Sequence, residues 1–84
     1  MVVKYRVYLI KFDELSSNPK GSFVSVHVTL LDDDENTLGS EFDSKQDAQN
    51  ALSRATKIQP MDGGRSRIMD RMSGHKFKID EEYS

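Results

Sequence analysis

Few residues in this chain could perform acid–base or nucleophilic chemistry. It has no cysteine, which excludes thiol catalysis and zinc–thiolate sites, and its only histidines are His27 and His75. A Ser-His-Asp site would need one of these histidines beside a positioned serine and a carboxylate. His27 lies between Ser25 and Thr29 at strand spacing, with no carboxylate nearby in sequence, and His75 precedes two lysine positions. We therefore predict no catalytic residue and no enzymatic activity.

A run of acidic residues at 32–35 raises the question of a calcium site. An EF-hand loop places glycine at its sixth position and a bidentate glutamate at its twelfth. Counted from Asp32, these positions hold Thr37 and Asp43, so the pattern fails. Gly63-Gly64 is also not followed by the lysine of a phosphate-binding loop. We expect neither a metal site nor a cofactor.

The charges are strongly segregated along the chain, although the formal net charge is only -2. Residues 32–47 are rich in carboxylates with Lys45 as their only cation, whereas residues 48–79 are mainly basic. Clustered carboxylates speed association with a basic partner. We therefore predict a non-enzymatic protein-interaction module with a regulatory or inhibitory role, of the type that phages and mobile elements encode, acting as a monomer or a homodimer. The candidate protein-binding residues are Asp32, Asp33, Asp34, Glu35, Glu41 and Asp43.

The alternative partner is a nucleic acid. A basic sheet face carrying an aromatic ring can bind a single strand. Against this hypothesis stand the pI of about 5.6 and the acidic block, which would repel phosphates. The candidate nucleic-acid-binding residues are Lys4, Arg6, Tyr8, His27, Arg65, Arg67, Arg71, Lys76 and Lys78.

The stretch 23–52 loosely resembles the second half of a double-stranded-RNA-binding domain, which ends in three strands and a helix opening with serine and two lysines. Here Ser44 and Lys45 match that opening, but Gln46 and Asp47 follow, and a strand replaces the first helix of the family. The resemblance covers about a third of the chain, and no RNA-binding residue is carried across from it.

The elements follow from periodicity. Alternating apolar residues predict strands at 2–12 and 23–31, joined as an antiparallel hairpin through a turn at Asn18-Pro19-Lys20-Gly21. A third short strand is predicted at 37–42. Ser44 or Asp43 caps a helix whose apolar positions run from Ala48 to Ile58 before Pro60. Residues 66–73 fit a short helix or a hairpin arm, and 75–80 fit a final strand.

The predicted fold is therefore α+β: a small antiparallel sheet of three to four strands with one main helix packed on one face. The order is β-β-β-α-(short helix or strand)-β. We expect a single domain at 1–80 with a frayed tail at 81–84. No apolar run approaches the ~20 residues of a membrane span. The first residues alternate like a strand and not like a signal peptide, so we expect a cytoplasmic protein.

Overall fold

The fold is that of a computed structural model, which describes residues 3–13, 22–61 and 67–83. The described chain forms seven strands and one helix in the order β1 to β4, α1, then β5 to β7. Their bounds are β1 Val3–Asp13, β2 Ser22–Leu31, β3 Thr37–Gly39, β4 Glu41–Phe42, α1 Lys45–Arg54, β5 Lys57–Pro60, β6 Met69–Asp70 and β7 Lys76–Tyr83.

The predicted fold class is wrong, because the sheet has more strands than the three to four expected and the helix is a smaller part of the structure. All seven strands of the described chain join one antiparallel sheet, and the helix spans only ten residues. The physical reason is strand length. Strands β3 to β6 are two to four residues long, too short for an alternating pattern to emerge from the sequence.

Strand β1 is the centre of the sheet. One edge pairs with β7 over residues 3–10. The other edge pairs with β4 at residues 5 and 6 and with β2 from residue 8 to 13, which confirms the predicted hairpin. Beyond His27, strand β2 leaves β1 and pairs with β5 and with β3. The segment 37–42 thus lies between the diverging ends of β1 and β2.

The helix begins as predicted and ends earlier. The Ser44 hydroxyl accepts a hydrogen bond from the Asp47 N–H at 3.0 Å, which caps the first turn. The helix stops at Arg54, and Ala55 is already extended. Ile58, predicted on the helix, is instead fully buried on β5. An apolar residue three positions after Ala55 fits the helical period, but Ile58 reaches the core from a strand.

The core lies between the helix and one face of the sheet. Alanines at the helix surface let α1 approach closely, and the interior is filled by leucine, isoleucine and valine from the strands. The buried hydrophobic residues are Val7, Leu9, Val28, Leu30, Leu31, Ala48, Ala51, Ala55 and Ile58.

The predicted third strand is split at Ser40. Gly39 has φ +140°, a conformation that side chains with a Cβ rarely adopt, and a Cβ there would lie 2.9 Å from Cε1 of Phe42. Glycine thus lets the chain pass from β2 to β1 while Phe42 packs beside it against the core.

The last third of the chain contains strands and no helix in its described part. Of the two forms left open for residues 66–73, the described portion forms the short strand β6 on the edge of β5. Strand β7 extends past residue 80, because Tyr83 pairs with Val3 where a frayed tail was expected. The predicted turn at residues 18–21 lies outside the described residues.

Candidate functional site

The candidate site is the face of β7, β1 and β2 that points away from the helix, here called the outer face. Residues that pair directly across a sheet share one face. Val7 and Leu9 pack against the helix side, so their neighbours Arg6, Tyr8 and Ile10 lie on the outer face. The register places Lys76, Lys78, Asp80 and Glu82 of β7 on the same outer face.

A row of three side chains crosses the middle of the outer face. Tyr8 pairs with Lys78 on one side and with His27 on the other. The Tyr8 and His27 ring centroids are 5.4 Å apart, and the Lys78 Nζ lies 5.6 Å from the Tyr8 centroid. The His27 Nε2 is 2.8 Å from the carbonyl oxygen of Ser40. This contact fixes the imidazole as a structural link between β2 and the segment 37–42.

The end of the β1–β2 hairpin carries two exposed phenylalanines. Phe12 and Phe23 pair directly, with centroids 5.4 Å apart in an edge-to-face arrangement. Their exposed fractions are 50% and 72%. Together with the row beside them they form what we call the aromatic half of the outer face: Tyr8, Phe12, Phe23, His27, Lys76 and Lys78.

The opposite end of the outer face is occupied by ion pairs. The Arg6 guanidinium is 2.9 Å from Glu41 Oε1, and the Lys4 Nζ is 2.6 Å from Asp43 Oδ1. This contact lowers the pKa of Asp43 below its usual value and raises that of Lys4, through the hydrogen bond and the opposite charges. We call this end the acidic half: Lys4, Arg6, Glu41, Asp43, Asp80 and Glu82.

A hydrogen bond connects the two halves. The Tyr8 hydroxyl donates to Glu82 Oε1 at 2.6 Å, and this bond to a carboxylate raises the Tyr8 pKa. The outer face is therefore polarised. Lysines and aromatic rings lie at the hairpin end, and a carboxylate majority lies at the other.

The predicted acidic surface is divided by the fold. Asp32 to Glu35 form the turn between β2 and β3, where the Asp32 carboxylate accepts the N–H groups of Asp34 and Asn36 at 2.9 Å each. Asp32 therefore stabilises the turn. Glu41 and Asp43 belong to the ion pairs described above. Asp33, Asp34 and Glu35 are exposed at the turn.

The predicted basic surface is also only partly assembled. The sheet brings Tyr8, His27, Lys76 and Lys78 together, and it places Lys4 and Arg6 in ion pairs at the other end. Arg67 is exposed before β6, and Arg65 lies outside the described residues.

Arg71 has a structural position. Its Nη1 donates to the carbonyl oxygens of Leu52 and Ala55 at the end of α1, the latter at 3.3 Å. Its guanidinium also lies 5.3 Å from the centroid of the Phe77 ring. Arg71 thus holds the helix C-terminus against the β6–β7 segment.

An open groove of about 710 Å³ lies where α1 meets β4. Its walls carry both signs of charge, from Lys4 and Arg54 on one hand and Glu41, Asp43 and Asp47 on the other. Among the described residues, no histidine lines this groove. Within residues 3–13, 22–61 and 67–83, no three His, Asp or Glu side chains are grouped so that they could hold a metal ion.

The exposed phenylalanines were not among the sequence-predicted site residues. Phe12 falls on the same side of its strand as Lys4 and Arg6, and an apolar ring on a polar face was the available signal. The position of Phe23 beside it depends on the hairpin register, which the sequence leaves open.

The helix of the described chain is too short and too polar to cross a bilayer. Comparisons with protein-family models, with curated proteins and with solved structures give no match to this chain.

Proposed function

We propose that the protein is a non-enzymatic binding module with a regulatory or inhibitory role, and that its partner is a protein docking on the aromatic half of the outer face. The observation that carries the proposal is the exposed pair Phe12 and Phe23. Adjacent exposed aromatic rings are typical of binding surfaces, where aromatic anchors dominate the binding energy.

The energetic argument rests on the area that these rings leave in water. Full burial of a phenylalanine side chain contributes roughly 1.5–3 kcal/mol. Phe12 and Phe23 are half or more exposed, so covering both in a complex would contribute about 3 kcal/mol. The hairpin already holds the two rings in place, so binding a partner would cost little of their side-chain entropy.

The surrounding charges favour a partner with its own acidic rim. On β7, Lys78 pairs with Tyr8 and Lys76 pairs with Ile10, and both lysines are exposed. The acidic turn of Asp33, Asp34 and Glu35 is the second surface of the proposal, because exposed carboxylates steer a basic region of the partner and speed association.

Site-specific photo-crosslinking in cells tests the proposal. A photo-reactive amino acid replaces Ser25, which is exposed on the outer face between the rings and the central row. A matched control variant carries the same amino acid at Gln49, exposed on the helix. We expect one discrete protein adduct from position 25, and its loss when Phe12→Ser and Phe23→Ser are added. No adduct at position 25, or the same adduct at position 49, would contradict the proposal.

The contribution of the acidic turn is tested separately, by measuring the kinetics of binding to the partner that cross-linking identifies. Replacing Asp33 and Asp34 by lysine should slow association by several-fold at low salt and leave dissociation nearly unchanged. If the association rate is the same with both substitutions as in the wild type, the acidic turn is not a binding surface.

A second candidate function is binding of single-stranded nucleic acid, favoured by the rings of Tyr8, His27, Phe12 and Phe23 beside two lysines. Stacking of a base on an aromatic ring contributes about 1–3 kcal/mol. The test is fluorescence anisotropy with a labelled oligonucleotide at about 50 and 200 mM salt. This function requires binding that weakens with salt and with Lys76→Ala/Lys78→Ala, while Lys45→Ala on the helix serves as the control. No binding at the lower salt concentration would exclude it.

A further inference from the structure

Strand β7 is an edge strand with a regular backbone. It pairs with β1 through eight consecutive residues without a register shift, and its other edge has no strand partner within the described chain. In an antiparallel sheet, alternate residues direct their N–H and C=O groups to opposite edges. About half of the backbone groups of β7 therefore point outward, where they could pair with another strand.

The charge sequence along this edge is antisymmetric. The outer-face residues of β7 are Lys76 and Lys78 in the first half and Asp80 and Glu82 in the second. Ile79 lies at the midpoint and packs on the helix side. Reversing the strand direction about Ile79 exchanges basic for acidic positions, so the strand is complementary to a reversed copy of itself.

We propose that a second copy of this chain pairs with β7 edge to edge, antiparallel and centred on Ile79, which continues the sheet across a two-fold axis. In such a sheet, a residue lies opposite one on the same face. The Ile79-centred register sets Lys78 opposite Asp80 of the second copy and Lys76 opposite Glu82 of the second copy. Each pair occurs twice, which gives four opposite-charge pairs. Lys78 and Asp80, which are 3.0 Å apart as an ion pair within one chain, would then also pair between chains.

Neighbouring registers are less favourable. Residues that lie opposite each other must be on the same face of the sheet, so the register can change only in steps of two residues. Each such step moves the two-fold axis by one residue along β7. An axis at Lys78 sets two lysines against each other, and an axis at Asp80 sets two aspartates against each other. Each of these registers keeps two opposite-charge pairs and gains one like-charge pair. The outer-face charges of β7 therefore favour the Ile79-centred register over its two neighbours.

The proposal goes beyond the proposed function, because it uses a different element from the aromatic pair. In a dimer of this geometry the two outer faces join into one surface. Each aromatic half then lies on the same side of the combined sheet, so that the assembly presents two copies of the Phe12–Phe23 pair.

Complementary charge reversals test the pairing between chains. Lys78→Glu places a glutamate opposite Asp80 of the second copy, and Asp80→Lys places a lysine opposite Lys78. We expect sedimentation to show a concentration-dependent dimer for the wild type and a dissociation constant raised about tenfold or more for each variant alone. An equimolar mixture of the two variants should recover the dimer. Lys11→Glu, an exposed change on β1 away from the β7 edge, is the matched control and should dimerise like the wild type.

The register has a separate readout that does not depend on affinity. The chain has no native cysteine, so Asp80→Cys and Ile79→Cys each introduce a single thiol. A directly opposed antiparallel pair lies within the Cα separation that a disulfide spans. Under mild oxidation we expect efficient dimer cross-linking by Cys at 79 and little at 80, with circular dichroism showing that both variants are folded. A wild type that stays monomeric at about millimolar concentration, a mixture that does not recover the dimer, or preferential cross-linking at 80 would overturn the proposal.

Discussion

Replacement of Arg71 by methionine offers a direct test of the structural role that the fold assigns to this residue. The guanidinium donates to the carbonyl oxygens of Leu52 and Ala55 at the end of α1 and lies 5.3 Å from the Phe77 centroid. Methionine keeps much of the aliphatic stem and removes the charge and the donors. The Arg71 N–H to the Thr56 carbonyl, 2.9 Å long, is a backbone contact and is retained.

The expected loss can be worked from these contacts. Hydrogen bonds from a charged donor contribute about 1.5–3 kcal/mol, and a cation at a helix C-terminus adds about 0.3–1 kcal/mol. The cation–π contact adds roughly 0.5–1 kcal/mol. Because Arg71 is only half-buried and the terms are not additive, we expect the free energy of unfolding to fall by about 2 kcal/mol. For a chain of this length that corresponds to a lowering of Tm by roughly 8–16 °C.

The assay is urea unfolding followed by circular dichroism, with Arg67→Met as the control. Arg67 is exposed and the same substitution there should change stability by less than about 0.5 kcal/mol. Equal effects of the two substitutions, or a loss below about 0.5 kcal/mol for Arg71→Met, would refute the reasoning.

Three further substitutions test other parts of the structure. Gly39→Ala should lower the free energy of unfolding by about 1–3 kcal/mol, measured by urea unfolding, because φ is +140° and the new Cβ would meet Phe42. Ile58→Ala should cost about 2–5 kcal/mol in the same assay, because the side chain is fully buried beneath the helix; a loss below about 1 kcal/mol would contradict the placement of Ile58. The Glu81 pKa is lowered from 4.5, chiefly by the hydrogen bond from the Tyr83 hydroxyl, so Tyr83→Phe should raise it in a carboxyl chemical-shift titration. The stabilisation from this carboxylate is present above the unfolded pKa and is lost as pH falls through the folded pKa; an unchanged titration in Tyr83→Phe would contradict the contact.

The parts of the fold that sequence predicted well are those with a long or chemically specific pattern. The β1–β2 hairpin follows from alternation over about ten residues in each strand, and the helix start follows from the Ser44 cap. The helix end was overestimated because Ile58 continues the helical spacing. The spacing of apolar residues says which positions are buried, but over two or three residues it does not say whether a helix or a strand buries them.

The candidate site was less predictable because it depends on strand register. Lys4 meets Asp43, and Arg6 meets Glu41, across separations of 39 and 35 residues. The sequence shows that these residues are charged. It does not show that β1 pairs with β4 and so places its cations beside the carboxylates of the acidic block. The same register brings Phe12 and Phe23 together, and so moves the candidate surface from the charge blocks to the hairpin end.

The pairing of β1 with β7 has a consequence for how the chain folds. Residues 3–10 complete one edge of the sheet with residues 76–83, so these contacts join segments more than sixty residues apart. Such non-local pairing delays folding to the millisecond-to-second range typical of sheet proteins, because loop-closure entropy is lost before the contacts form. Until β7 arrives, the central strand has an open edge, and a nascent or partly unfolded chain exposes Val3, Val7 and Leu9 to other strands. The partly unfolded chain, in which this edge is open, is therefore a form in which we expect the protein to aggregate.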